Sequence, residues 1–165
     1  EDQYIFEEDL VISEESFGIH GITEEFLRSR GKNRKEVLTA LTEDIIKYQP
    51  LIVGHFLEFD LHILAADFLR AGLAIPFENS RFYCTMLKSK QYASGISSTY
   101  MRLPELYRYL MNETAEPSHN ARIDAGMTAS CFFEIGRRNQ LSEKDLEEKH
   151  HLISGKLHFP VLKFI

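Results

Sequence analysis

Between residues 51 and 70 a short apolar run passes without interruption into a helical pattern, and that junction constrains the fold more than any other feature of the chain. Leu51-Ile52-Val53-Gly54 is unalternating and short, as expected of a buried strand. From His55 to about Arg70 the spacing becomes helical, with Ile63, Leu64 and Phe68 on one face and Gly72 as terminator. A strand feeding directly into a helix is a β-to-α junction, and the flanking segments repeat the alternation. A helix is predicted from Arg34 to Tyr48, with Val37, Leu38, Leu41, Ile45 and Ile46 at helical spacing and Pro50 stopping it. Phe82-Tyr83-Cys84-Thr85 is a second short strand, Leu103 to Met111 a further helix, and Ala121 to Arg138 a long one. In the long helix Ala125, Gly126, Ala129 and Ser130 would permit close packing on a sheet. The class implied is α/β, a mixed sheet covered by helices on its faces.

The remaining segments are weaker signals. Tyr4-Ile5-Phe6 and Leu10-Val11-Ile12 resemble strand material, and Thr23 suits the N-cap of a helix from Glu24 to Arg30 that stops at Gly31. Residues 91–99 have the composition of a flexible loop, and 112–118 form a polar stretch with Pro117. Ser142 suits an N-cap before Glu143 to Lys149, after which the apolar tail Lys156 to Ile165, carrying Pro160, would be an edge strand or an extended arm. We therefore expect a domain over 1–140 and a C-terminal helix and apolar tail over 141–165. At 165 residues and 44% apolar content the chain can bury one core, which excludes a disordered chain. No apolar run approaches a membrane span. Two cysteines, Cys84 and Cys131, without metal-ligand spacing point to a reducing compartment and two packed thiols. With no export signal at the start, the expected location is cytoplasmic. The net charge of -6 argues against a broad surface that coats nucleic acid, and leaves a local, metal-assisted site open.

A histidine base near a carboxylate is a pairing that hydrolases use. Seven His and seven Asp in 165 residues give about 0.3 chance matches to His-x-x-x-x-Asp, yet the chain holds three, so context must choose among them. His62 and Asp67 fall on different sides of one helix and are expected at its solvated surface. Asp60 sits in a first helical turn beyond the carboxyl end of a strand, where open α/β sheets place ligand crevices, although a carboxylate there also simply favours the helix dipole. His119 follows a polar loop, with Asp124 one turn into the next helix. Their bland counterpart is a loop histidine and a surface acid. Tyr83, Tyr92, Tyr100, Tyr107 and Tyr109 could stack on bases, but such aromatics more often pack in cores.

Three blocks in this order, Ile19-His20-Gly21-Ile22-Thr23, Val53-Gly54-His55-Phe56-Leu57-Glu58-Phe59-Asp60 and His119-Asn120-Ala121-Arg122-Ile123-Asp124-Ala125, resemble the DnaQ-like 3′–5′ exonucleases of the DEDDh group. The segments 82–87 and 103–106 resemble that family's intermediate strand and helix, so the likeness runs from about Phe6 to Arg138. It implies a ribonuclease H-like fold and removal of nucleotides from 3′ ends by two divalent ions, Mg2+ or Mn2+. Matched residue by residue, Asp60 and Asp124 would be metal ligands and His119 the general base, with Ile19, His20, Phe56 and Phe59 at the substrate. The implied partners are nucleic acid with a free 3′ end, DNA over RNA, and a DNA polymerase of which this would be a proofreading, epsilon-like subunit. No membrane partner is implied.

Two departures accompany the resemblance. Phe56 stands where the family often has Asn. The family's first motif, an Asp-x-Glu on an opening central strand, has no counterpart ahead of Ile19, and neither Glu7-Glu8-Asp9 nor Glu14-Glu15, expected in a loop, is assigned to the metals. The expectation is that this strand belongs to a hairpin upstream of Glu1; the alternative, the apolar tail in its place, is opposed by Pro160. Two rival functions stay open: a degenerate exonuclease fold that binds nucleic acid or protein without cutting, and an α/β interaction domain.

Overall fold

The computed structural model describes residues 2–77, 79–93, 99–114 and 120–157. His119 and the tail from residue 158 onward lie outside the described residues. In chain order the elements are α1 (Glu14–His20), α2 (Glu24–Arg30), α3 (Arg34–Tyr48), β1 (Leu51–Gly54), α4 (Leu57–Arg70), β2 (Arg81–Cys84), α5 (Thr85–Ser89), a 3-10 turn (Lys90–Tyr92), α6 (Leu103–Met111), α7 (Ala121–Arg137) and α8 (Glu143–Ser154). The architecture is α/β, as the alternation implies.

Strands β1 and β2 pair in parallel, with Leu51 opposite Arg81 and Gly54 opposite Cys84, and α4 makes the crossover. Parallel strands require such a connection. Three of the four β2 residues are buried, whereas all four of β1 are half-buried. Among the described residues β1 is paired on one side only, so this strand is less enclosed than its composition suggests. Gly54 ends β1 where α4 turns back over it. A Cβ there would lie 2.8 Å from Leu57 Cδ1, so the junction needs a glycine.

One core cluster joins Leu38 and Ile45 of α3, Leu61 and Phe68 of α4, Phe82 of β2 and Ile153 of α8. A second joins α6 to α7 through Leu106, Leu110, Cys131 and Ile135. Both cysteines are free and buried, and burial pushes the Cys131 thiol up to about 12. Among the described residues no helix is long and apolar enough to cross a membrane.

Several local expectations change. Ile5 forms only an isolated bridge to Lys32, and Leu10 to Ile12 are not in a strand. Glu14 and Glu15, expected in a loop, open α1, where the Ser13 hydroxyl accepts from the Ser16 N–H at 3.1 Å. That helix buries no residue and so has no apolar periodicity to reveal it. In α7 the buried residues are Met127, Thr128, Cys131 and Ile135; Gly126 has nothing within 4 Å of an added Cβ, so it does not serve close packing. Ile46 and Ile63 face solvent, the amphipathic stripes of α3 and α4 being narrower than their apolar content. Helix α8 runs five residues beyond Lys149 and buries Ile153.

Candidate active site

At the exit of β1 the backbone makes an abrupt turn. Phe56 takes φ 65° and ψ 40°, the left-handed region, and its side chain gives α4 no capping hydrogen bond. For a residue with a bulky Cβ substituent this conformation costs about 1–2 kcal/mol. Its carbonyl accepts from the Phe59 N–H at 2.9 Å, and the two rings lie 5.8 Å apart at 17°, both in solvent.

His55, one residue earlier, is turned into the protein. Its Nε2 lies 3.1 Å from the Met101 carbonyl and its Nδ1 3.0 Å from the Thr85 hydroxyl. A carbonyl only accepts, so Nε2 carries a proton. Burial holds the ring's pKa down at about 4, so near neutral pH Nδ1 is an acceptor for Thr85, whose one proton can alternatively reach the Gly54 carbonyl at 3.1 Å. With both nitrogens engaged, His55 ties the β1–α4 junction to α5 and to residue 101. It is a positioning residue and not a free base.

Asp60 follows in the first turn of α4, exposed, and among the described residues no cation pairs with its carboxylate. Loss of water around it pushes its pKa up, against a smaller opposing effect of its own backbone N–H. Asp124 occupies the first turn of α7, half-buried. The turn is set by Asn120, whose side chain accepts from the N–H groups of Arg122 and Ile123. Asp124 also has no ion-pair partner among the described residues. Both α4 and α7 contact β1, so the two acids begin helices that adjoin one strand.

The other candidates fare differently. Ile19 and His20 end α1, with Ile19 exposed and His20 Nδ1 accepting from the Ile22 N–H at 2.9 Å. Asp67 is less solvated than its position on α4 suggests, for it pairs with Arg70 at 2.9 Å and Arg34 at 3.7 Å. Glu7 is committed to the Arg34 backbone N–H. Tyr83 is fully buried, whereas Tyr100 and Tyr109 are exposed. Sequence reasoning missed the roles of Thr85 and His55 in fixing the junction. A threonine directly after a strand that parallels β1 was the available signal. It also missed that Ile63 extends the exposed apolar strip of Phe56 and Phe59.

Could these residues hold divalent ions? Two carboxylates with no ion pair among the described residues are hard oxygen donors of the kind Mg2+ and Mn2+ take, with water and phosphate oxygens completing the shell. The donor chemistry fits. Among the described residues, however, no group of three His, Cys, Asp or Glu side chains is gathered that could hold a metal.

A family model described as exonuclease matches residues 1–132, which include β1, α4, β2, both acids and the first turns that carry them. No curated protein matches the sequence. A match over four-fifths of the chain, on an α/β frame with a parallel strand pair, makes it a nuclease domain that acts on nucleic acid: the chain belongs to the exonuclease family of the ribonuclease H-like superfamily.

Proposed function

We propose that the chain is a DnaQ-like 3′–5′ exonuclease of the DEDDh group, with Asp60 and Asp124 holding Mg2+ or Mn2+ and His119 acting as general base. The observation that carries this reading is that both acids, with no ion pair among the described residues, stand in the first turns of two helices that contact β1. The ions would supply Lewis-acid stabilisation of charge on the phosphate oxygens. The chain's own residues would do the rest. His119 accepts the proton of the attacking water, and Ile19, His20, Phe56 and Phe59 hold the terminal nucleotides. DNA ends are the preferred substrate, a polymerase the candidate partner, and 1–140 the exonuclease unit with 141–165 appended. A reducing, cytoplasmic setting agrees with the two free thiols.

The test is digestion of 5′-labelled single-stranded and 3′-recessed oligonucleotides with Mn2+. Stepwise shortening from the 3′ end, lost in Asp124→Ala, is expected. No shortening, or equal shortening by the variant, overturns the proposal. Because His119 must be unprotonated to accept a proton, activity should be greatest at neutral to alkaline pH, and a rate that rises as the pH drops below about 6 would contradict that role.

The absence of a three-donor group among the described residues favours a second reading, a fold that binds without cutting. Calorimetric titration with Mn2+ separates the two. Binding weakened by Asp60→Asn supports the enzyme, and no binding supports the second reading.

A further inference from the structure

Lys156 stands just past Gly155, the C-cap of α8, and its ammonium donates to Glu58 in the first turn of α4 at 2.8 Å. Its backbone is held firmly. The Lys156 N–H donates to the Ile153 carbonyl at 2.9 Å, Ile153 belongs to the core shared by α3, α4 and β2, and Leu157 packs against that core. The ammonium therefore has a fixed station at the exit of the strand pair, since α4 begins directly after the β1 junction. The Glu58 carboxylate raises its pKa against a smaller loss of water, and the Tyr100 hydroxyl and the Cys84 thiol, which ends β2, act in the same direction as Glu58. The carboxyl ends of parallel strands are where open α/β sheets receive their ligands.

Stability does not explain the contact. The Lys156 side chain is 51% exposed, and an ion pair so open to water contributes about 0–1 kcal/mol. An ammonium has three N–H donors, and among the described residues only Glu58 takes one. The rest are open to a ligand. An acidic one is required: Glu58 and Asp60 crowd one turn of a chain with net charge -6, so a phosphodiester strand brought to Asp60 is repelled by Glu58 unless a cation answers it. The two-residue offset turns Glu58 about 200° from Asp60 around the helix, so Lys156 neutralises that flank without competing with divalent ions for Asp60.

We infer that Lys156 binds a backbone phosphate of the substrate strand beside the scissile one, which makes the end of α8 part of the substrate-binding surface. The inference rests on the exonuclease reading for the identity of the ligand. It deepens that reading with a residue from outside positions 1–132, the part matched by the family model. A phosphate contact carries no base information, so it strengthens binding to all sequences alike and makes the affinity fall with salt.

Fluorescence anisotropy of 5′-labelled single strands in EDTA, where no cutting occurs, tests this. Each phosphate contact on a single strand contributes about 0.7 to the slope of log affinity against log salt, so Lys156→Gln should reduce the slope by about 0.7, equally for strands of different composition. Lys156→Arg, which keeps the charge, should keep the slope. Glu58→Gln is the discriminating background. A lysine that served only to neutralise Glu58 would have no further effect there, whereas a phosphate contact still contributes its share. A neutral methylphosphonate placed at each linkage near the 3′ end in turn should reveal one position that weakens binding by the native protein and leaves binding by Lys156→Gln unchanged. An unaltered slope in Lys156→Gln, an effect that vanishes in the Glu58→Gln background, equal weakening of both proteins at every linkage, or no binding by the native protein overturns the inference. A Lys156-dependent slope without any cutting in Mn2+ keeps the phosphate contact and removes the exonuclease reading. Cutting in Mn2+ with the slope unmoved in Lys156→Gln does the reverse.

Discussion

The seat of α8 and the first turn of α4 treat charge in contrary ways. Under α8, Lys88 is almost wholly buried, and its ammonium lies 3.0 Å from Asp145, which also accepts from the Tyr83 hydroxyl at 2.9 Å and has Lys149 at 3.6 Å. Each buried charge there has an answer. At α4, Asp60 has no cation among the described residues although Lys156 is spent on Glu58 two positions earlier, and two phenyl rings face water beside it. Unpaired buried charge is costly, so partners gather where burial demands them. An entry left unpaired and strained marks the place where a ligand supplies the partner.

The widest break in this comparison comes from removing the acids. Asp60→Asn and Asp124→Ala should each lower nuclease turnover by about 100-fold or more, since metal-bound charge stabilisation supplies several kcal/mol. Thermal unfolding should show at most a small loss of stability, the roughly 0.3–1 kcal/mol of a first-turn carboxylate on its helix dipole, because no ion pair among the described residues is abandoned. A larger loss would place these carboxylates among the structural charges.

At the α8 seat the signs reverse. Lys88→Met leaves Asp145 with its buried charge less compensated and should cost roughly 3–5 kcal/mol in denaturant unfolding, with turnover per folded molecule unchanged. His55 sharpens the contrast through pH. Its folded pKa of about 4 lies below the ordinary histidine value of 6.5, so between these values the unfolded chain binds more protons. The stability is fully present above pH 6.5 and is lost as pH falls towards 4, by no more than about 3 kcal/mol. His55→Gln should flatten that slope, as urea titrations at several pH values would show. The smallest effect is at Phe56, where Asn relieves the backbone and should raise stability by about 1 kcal/mol. A fall instead would mean that the ring packs against the protein.

Much of the frame was legible because pattern and capping agree. Helices α2, α3 and α6, and the strand at Leu51–Gly54, stand at their expected bounds, each marked by Thr23, Pro50, Gly54 or an apolar spacing of helical period. Helix α1 was illegible to periodicity because it buries nothing, although Ser13 and the acidic first turn marked its start. The placement of Asp60 and Asp124 in first helical turns was readable from the junctions that precede them. The inward turn of His55 was not, because its partners Thr85 and Met101 are thirty and forty-six residues away. Nor was the conformation of Phe56, since no local residue preference places phenylalanine in the left-handed region. The two strand expectations before residue 13 failed for want of a partner: Ile5 meets only Lys32.

The account stands on Asp60 and Asp124 serving one divalent centre. An anomalous-difference map from crystals grown with Mn2+ tests this most directly. The result it expects is manganese at about 2.1 Å from a carboxylate oxygen of each residue, either on one shared ion or on two neighbouring ions bridged by common ligands. Manganese on one acid alone, with the other turned to bulk solvent, would contradict it.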